Sequence, residues 1–250
     1  MTPILVPYHL DEPLADLDVP VEVGSTVTVD LPDGDPWRRL APLYEAVAAT
    51  VAEAAGRGER PAVLSGDCTT SLGTVAGLQR AGIDPAIVWF DAHGDVQTLE
   101  TTTSGYLGGI PLRMLVGYRP ELLATSLGLR PVGEERVVLV DARDLDPPEV
   151  EYLQRAPIRR CGVADLRDGP LPDGPLYLHL DLDVVDSGEL PGLRFPAPGG
   201  PTAAAVAQAA AQLIDDGRVA ALGVGCTWYP GRGAAERVRP RLGPLLSAFG

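Results

Sequence analysis

The chain contains no lysine and no asparagine, so all 20 of its basic residues are arginines. Schiff-base, pyridoxal and P-loop chemistry, each of which needs a lysine amine, are thereby excluded. Basic residues are also outnumbered, 20 against 34 acidic ones, for a formal charge of −14. A phosphate backbone is bound by a basic patch, which argues against nucleic acid as a partner. A cationic small substrate or metal ions would instead be drawn in. Three cysteines, Cys68, Cys161 and Cys226, are too scattered and odd in number for a disulfide framework. Each is core filler, ligand or nucleophile. No run of about 18 apolar residues is found, nor the charged-then-apolar start of a signal peptide. The expectation is therefore a cytoplasmic protein with no membrane partner.

What is present is enough for a full core: 250 residues, 45% of them hydrophobic. We expect one domain over residues 1–250. Short β-branched runs alternate with Ala/Leu-rich segments, the pattern of an α/β fold with a mostly parallel sheet. The runs predict strands at 3–7, 62–65, 86–90, 136–140, 176–182 and 219–225. Asp35-Pro36 supplies an N-cap and a first-turn proline for a helix to about residue 56, and Thr202 caps another to about 216. Further helices are predicted at 70–81, 109–128 in two pieces, 147–155 and 234–248, with a surface loop at 168–175.

Polar residues gather where these strands end, which is where parallel sheets place ligand sites. The stretch WFDAHGD, residues 89–95, carries Asp91, His93 and Asp95 alternating with small residues. The stretch LHLDLDVVD, residues 178–186, carries His179, Asp181 and Asp183 on one face of an apolar strand. Alternation puts such side chains on one side, where carboxylates and imidazole can converge on a divalent cation. Burying the carboxylates without countercharge would be costly, and neither stretch contains a lysine or arginine to supply one. A single Asp at a strand end is usually a cap, and a lone Cys usually core; two such clusters in one chain point to metal. Gly66-Asp67-Cys68 adds a thiolate at a third strand end.

In their order and spacing these motifs resemble the arginase/agmatinase, or ureohydrolase, family. The family's Gly-Gly-Asp-His, Asp-Ala-His-x-Asp and Ser-x-Asp-x-Asp-x-x-Asp are matched by Ser65-Gly66-Asp67-Cys68, Asp91-Ala92-His93-Gly94-Asp95 and His179-Leu180-Asp181-Leu182-Asp183-Val184-Val185-Asp186. Residues 142–147 and 196–200 are similar to two more of its segments. The resemblance implies a three-layer αβα fold and two divalent metal ions, usually Mn(2+), hydrolysing a guanidino or related C–N bond. Carried over, Asp91 and Asp181 bridge the metals, Cys68 and Asp95 complete one shell, and His93 and Asp183 the other. A metal-bridging hydroxide is then the nucleophile, with Asp95 taking part in proton transfer. Asp67 and Asp186 are read as supporting groups. The family also commonly forms trimers or hexamers, so a homo-oligomer is in view, although the chain lacks the extended tail that joins subunits in some arginases.

The departures from the family pattern bear on substrate. Cys68 replaces a histidine, and a soft thiolate favours zinc, iron or cobalt over manganese, so that site is expected to prefer another metal or to bind manganese weakly. The family's Ser-Gly-Asn-x-His-Gly-x-Pro becomes Ser104-Gly105-Tyr106-Leu107-Gly108-Gly109-Ile110-Pro111, which retains Ser104 but replaces the proton-shuttling histidine by Gly108, expected to leave space. Cys226 or Thr227 stands where the family has a glutamate that pairs with the guanidinium. Asp146 matches a position that contacts the substrate's α-amino group. His179 replaces a small residue, and is either a recovered catalytic group or a core histidine. His9, Asp11 and Tyr8 either line the pocket or belong to a surface loop.

These features predict a hydrolase of an N-hydroxyguanidino amino acid such as N-omega-hydroxy-L-arginine, of the type found in antibiotic biosynthesis, with Ser104, Tyr106, Gly108, Asp146 and Thr227 in the substrate pocket. The alternatives are a degenerate, non-catalytic metal- or ligand-binding homologue and an ordinary arginase or agmatinase acting on an unmodified guanidino compound.

Overall fold

A computed structural model describes residues 3–249. In chain order its elements are β1 (Ile4–Val6), β2 (Tyr8–His9), β3 (Glu12–Pro13), β4 (Ser25–Thr26), α1 (Pro36–Gly56), β5 (Ala62–Ser65), α2 (Ser71–Arg80), β6 (Ala86–Asp91), α3 (Pro111–Leu115), α4 (Ala124–Leu127), β7 (Val137–Asp141), α5 (Pro147–Leu153), β8 (Arg159–Cys161), β9 (Leu176–Asp181), α6 (Ala203–Asp215), β10 (Val219–Gly225) and α7 (Ala234–Ala248). Eight strands form one parallel sheet in the order β4-β1-β5-β10-β9-β6-β7-β8. The remaining two, β2 and β3, make a small antiparallel hairpin.

Strand alternation splits the core into two layers. In β6, Ala86, Val88 and Phe90 pack with α6 and α7, whereas Ile87 and Trp89 pack with α1 and α2. Helices thus cover both faces of the sheet, as the α/β reading requires. Asp35 caps α1 by accepting from the amides of Trp37 and Arg38 at 3.0 and 3.2 Å, and Thr202 caps α6 from Ala205 at 3.2 Å. Helix α2 lies unusually close to α1: a Cβ at Gly73 or Gly77 would stand 2.7 or 2.6 Å from a backbone oxygen of α1. Its residues Ser71–Gln79 are buried throughout, so the turn that leads into it is fixed beside the sheet.

All six expected strands are present. The four unforeseen ones are two or three residues long, too short to carry a period. Among the described residues, no helix is long and apolar enough to cross a membrane.

Candidate functional site

The four central strands β5, β10, β9 and β6 end side by side, with Gly225 in register with both Ser65 and Asp181, and Phe90 with Leu180. By alternation Asp91 shares the face of Ile87 and Trp89, and Asp181 that of Tyr177 and His179, the α1/α2 side of the sheet. The expected alternation stops there. His93 and Asp95 lie beyond the end of β6 in a turn, and Asp183 lies in a 3-10 turn at Leu182–Val184. Turns, not strand pleat, bring these three in, and Asp95 takes a positive φ of 53°, a strained conformation of the kind that concentrates at functional sites.

Two triplets of potential ligand atoms result, Cys68/Asp91/Asp181 and Asp91/His93/Asp183, each with its atoms within 4.8 Å of one another. The Cys68 thiol donates to Asp181 Oδ2 at 2.7 Å. His93 Nδ1 lies 3.3 Å from Asp91 Oδ1 and 3.2 Å from Asp183 Oδ2. Supporting donors aim the carboxylates. Trp89 Nε1 donates to Asp91 Oδ2 at 3.1 Å, the Asp183 amide to Asp181 Oδ1 at 2.9 Å, and the Thr227 hydroxyl to the same oxygen at 2.6 Å. Gly225 makes room, since a Cβ there would stand 3.3 Å from both Asp181 and Cys68 Sγ.

The electrostatics are those of a site short of positive charge. Burial, then the neighbouring carboxylates, push Asp95 and Asp181 well above the usual carboxylate range, and Asp183 up to about 6. Burial and then Asp181 raise the Cys68 thiol in the same way. Asp91 is an exception: burial acts upward, but His93 outweighs it and holds the carboxyl low. Burial acts downward on His93, yet Asp183 and Asp91 lift it to about 12. Asp95 Oδ2 is buried with no hydrogen-bond partner. Buried oxygens in such a state are the ones a cation would satisfy, and the S/N/O donor set suits divalent metal ions.

Cys68, His93, Asp95, Asp181 and Asp183 line a cavity of about 280 Å³ together with Ser104, Tyr106, Gly108, Asp146 and Thr227. Thr227 faces the cavity, while Cys226 is buried in the core on the other face of the sheet. His179 also departs from the cavity. It is stacked on Trp89 with ring centroids 3.8 Å apart, with Nδ1 3.1 Å from Ser71 Oγ, and burial lowers it to about 3. It is therefore a neutral core histidine, and the catalytic alternative for it is not supported by its position. The space expected beside Gly108 is filled, because a Cβ there would run into the Tyr106 phenol. Asp67 accepts from the Leu10 and Thr69 amides at 2.6 and 2.7 Å, and Asp186 from those of Gly188, Gly199 and Gly200, so both hold turns.

Gln97, Glu149 and Phe195 line the cavity without having been singled out from the sequence. Glu149 had a signal, three residues after Asp146 at a helix start. Its side chain accepts from the Asp146 and Val96 amides at 3.1 and 3.2 Å, and Gln97 donates to Asp146 Oδ2 at 2.8 Å. Phe195 packs on Tyr106, centroids 4.6 Å apart, from a loop with no distinguishing pattern.

Comparison with known proteins agrees with this geometry. The family model described as Arginase family matches residues 8–225. An arginase of Bacillus caldovelox is 33% identical over 180 residues, 66% of this chain and 60% of that protein. An N(omega)-hydroxy-L-arginine amidinohydrolase of Streptomyces lavendulae is 33% identical over 165 residues, 63% of this chain and 59% of that protein. The alignments thus span about three fifths of these relatives' lengths. The crystal structure of Bacillus subtilis arginase superimposes with a TM-score of 0.76 at 26% identity, covering 97% of this chain and 99% of that one.

Proposed function

The chain belongs to the arginase family, and we propose that it hydrolyses the guanidino C–N bond of a small N-hydroxyguanidino amino acid, such as N-omega-hydroxy-L-arginine. The observation that carries the hydrolase reading is the pair of ligand triplets that share Asp91 and whose other four members, Cys68, His93, Asp181 and Asp183, line the cavity. We assign Cys68, Asp91, Asp95 and Asp181 to one metal and Asp91, His93, Asp181 and Asp183 to the other, with Asp91 and Asp181 shared. Asp95 joins neither triplet in the present geometry, but its unpartnered Oδ2 is the atom left over for the first. Two divalent ions bound there, manganese being the family's usual metal, would supply a water of lowered pKa and stabilise the negative charge developing around the attacked carbon.

The chain's own groups do the rest. Asp95, which lines the cavity and is ionised when a cation is bound beside it, takes a proton from the attacking water and returns it to the departing amine nitrogen, which leaves with the electron pair of the broken C–N bond. Ser104 and Asp146 line the cavity wall, which supports assigning them to the amino-acid head. Thr227 offers the far end a neutral hydroxyl already committed to Asp181, in place of a carboxylate. That favours a guanidine less basic than arginine's, and the Streptomyces lavendulae relative points the same way.

Incubation of the manganese-loaded protein with hydroxyarginine, arginine, agmatine and formiminoglutamate separates the readings. Faster release of ornithine and hydroxyurea from hydroxyarginine than of urea from arginine is expected. Preference for arginine would make it an ordinary arginase, and turnover of none with metal bound would make it a binding protein.

A further inference from the structure

Gly108 carries no side chain to serve the reacting end of the substrate, yet the place beside it is filled. Tyr106 reaches back over it, and the phenol takes the volume a Cβ at 108 would need. The ring is held on two sides, by Phe195 at 4.6 Å and by His9, nearly parallel, at 5.8 Å between centroids. Its hydroxyl lies 3.3 Å from His9 Nε2, and His9 Nδ1 lies 2.8 Å from the Gly66 carbonyl. His9 belongs to the small β2–β3 hairpin, which is anchored to the turn before Cys68: the Gly66 amide donates to the Tyr8 carbonyl at 2.8 Å, and the Leu10 amide to Asp67 at 2.6 Å. The turn that presents Cys68 therefore also fixes the imidazole that fixes Tyr106.

We propose that Tyr106, aimed by His9, is the group that meets the substrate's guanidino substituent in place of a side chain at 108, and that it does so as a hydrogen-bond acceptor. The polarity follows from the chain of partners. A carbonyl only accepts, so Nδ1 of His9 carries the hydrogen; in the Nδ1–H tautomer Nε2 is a bare acceptor. The phenol must donate its hydrogen to Nε2, which leaves the oxygen's lone pairs for the cavity it lines with Cys68, Asp95 and Asp181. Burial, followed by Asp67, raises the phenol and keeps it protonated for this role. In this proposal the N–O–H of the substrate, one atom longer than an unsubstituted guanidine, donates to that oxygen. This assignment rests on the hydroxyguanidine reading above for its ligand, and on the His9 tautomer for its polarity. His9 is a positioning residue, since it touches Tyr106 and not the substrate.

Two measurements test it. The chain has only three histidines, so nitrogen-15 NMR of the diamagnetic zinc-loaded protein can resolve each ring. His9 is expected as the Nδ1–H tautomer, with an Nε2 resonance that shifts in Tyr106→Phe. An Nε2–H tautomer, or no shift, overturns the proposal whatever the enzyme hydrolyses. In the manganese-loaded enzyme, Tyr106→Phe and His9→Ala should each lower kcat/KM for hydroxyarginine by about tenfold or more, with arginine changed by less than about threefold. The double variant should lose no more than the single ones, as residues acting through one contact do. Additive losses, or equal losses on both substrates, would also overturn it. Should the wild type prefer arginine, the hydroxyguanidine reading fails, and the Tyr106–His9 pair is judged by the tautomer and by non-additivity on arginine.

Discussion

In the half of the site built from Asp91, His93 and Asp183, an imidazole raised to about 12 sits between two carboxylates. In the half built from Cys68, Asp91 and Asp181, the partners are a thiol and a second buried acid, both raised, with Asp95 Oδ2 unpaired beside them. The first half carries its own positive charge, and the second balances its negative charge by holding protons. The difference teaches what each proton stands for. At His93 Nδ1 and at Cys68 Sγ, hydrogen occupies directions that a metal ion would take, so filling either half must expel protons.

Breaking the shared element has the largest expected effect. Asp91→Asn should empty both halves in elemental analysis and reduce turnover by roughly a thousandfold or more; loss of one metal alone would show that Asp91 serves a single half. Changing the unusual ligand comes next. Cys68→His should raise manganese content in the buried half by supplying a harder donor, and an unchanged content would count against Cys68 as a ligand.

Protonation gives a third handle. The Asp183 carboxyl, 3.8 when free and about 6 when folded, holds a proton in the metal-free fold that the unfolded chain has already released. Its contribution to stability is therefore complete below about pH 3.8 and is lost as pH rises through about 6. Asp95 and Asp181 shift in the same direction. The melting temperature of the loaded protein should pull away from that of the metal-free protein between pH 5 and 8, and a gap that narrows would contradict the assignment. Smaller effects come from supporting donors. Trp89→Phe removes the indole N–H on Asp91 and should weaken metal binding about tenfold. Thr227→Val removes one hydroxyl from Asp181 at a cost of about 1 kcal/mol in denaturant unfolding.

How much of this was legible in the sequence depends on where each residue sits. Apolar runs that cross the sheet interior are readable because both layers demand burial, and all the central strands were foreseen. β8 was not, since Arg159-Arg160-Cys161 lies at the sheet edge, where charge is tolerated and resembles a loop. Asp91 and Asp181 were legible from alternation, whereas His93, Asp95 and Asp183 arrive through turns that alternation does not describe. The spacing of Gly108 suggested an empty place. Only folding shows Tyr106, two residues earlier, turning back to fill it, and only tertiary packing brings His9 across 97 residues to meet it.

The central claim is that Cys68 and the acidic cluster form a metal centre. Titration with cobalt(II), followed by absorption, tests it most directly. Two cobalt ions per chain are predicted, with a near-ultraviolet sulfur-to-cobalt charge-transfer band that disappears in Cys68→Ser. A protein that binds cobalt without that band, or keeps it in Cys68→Ser, would contradict the account.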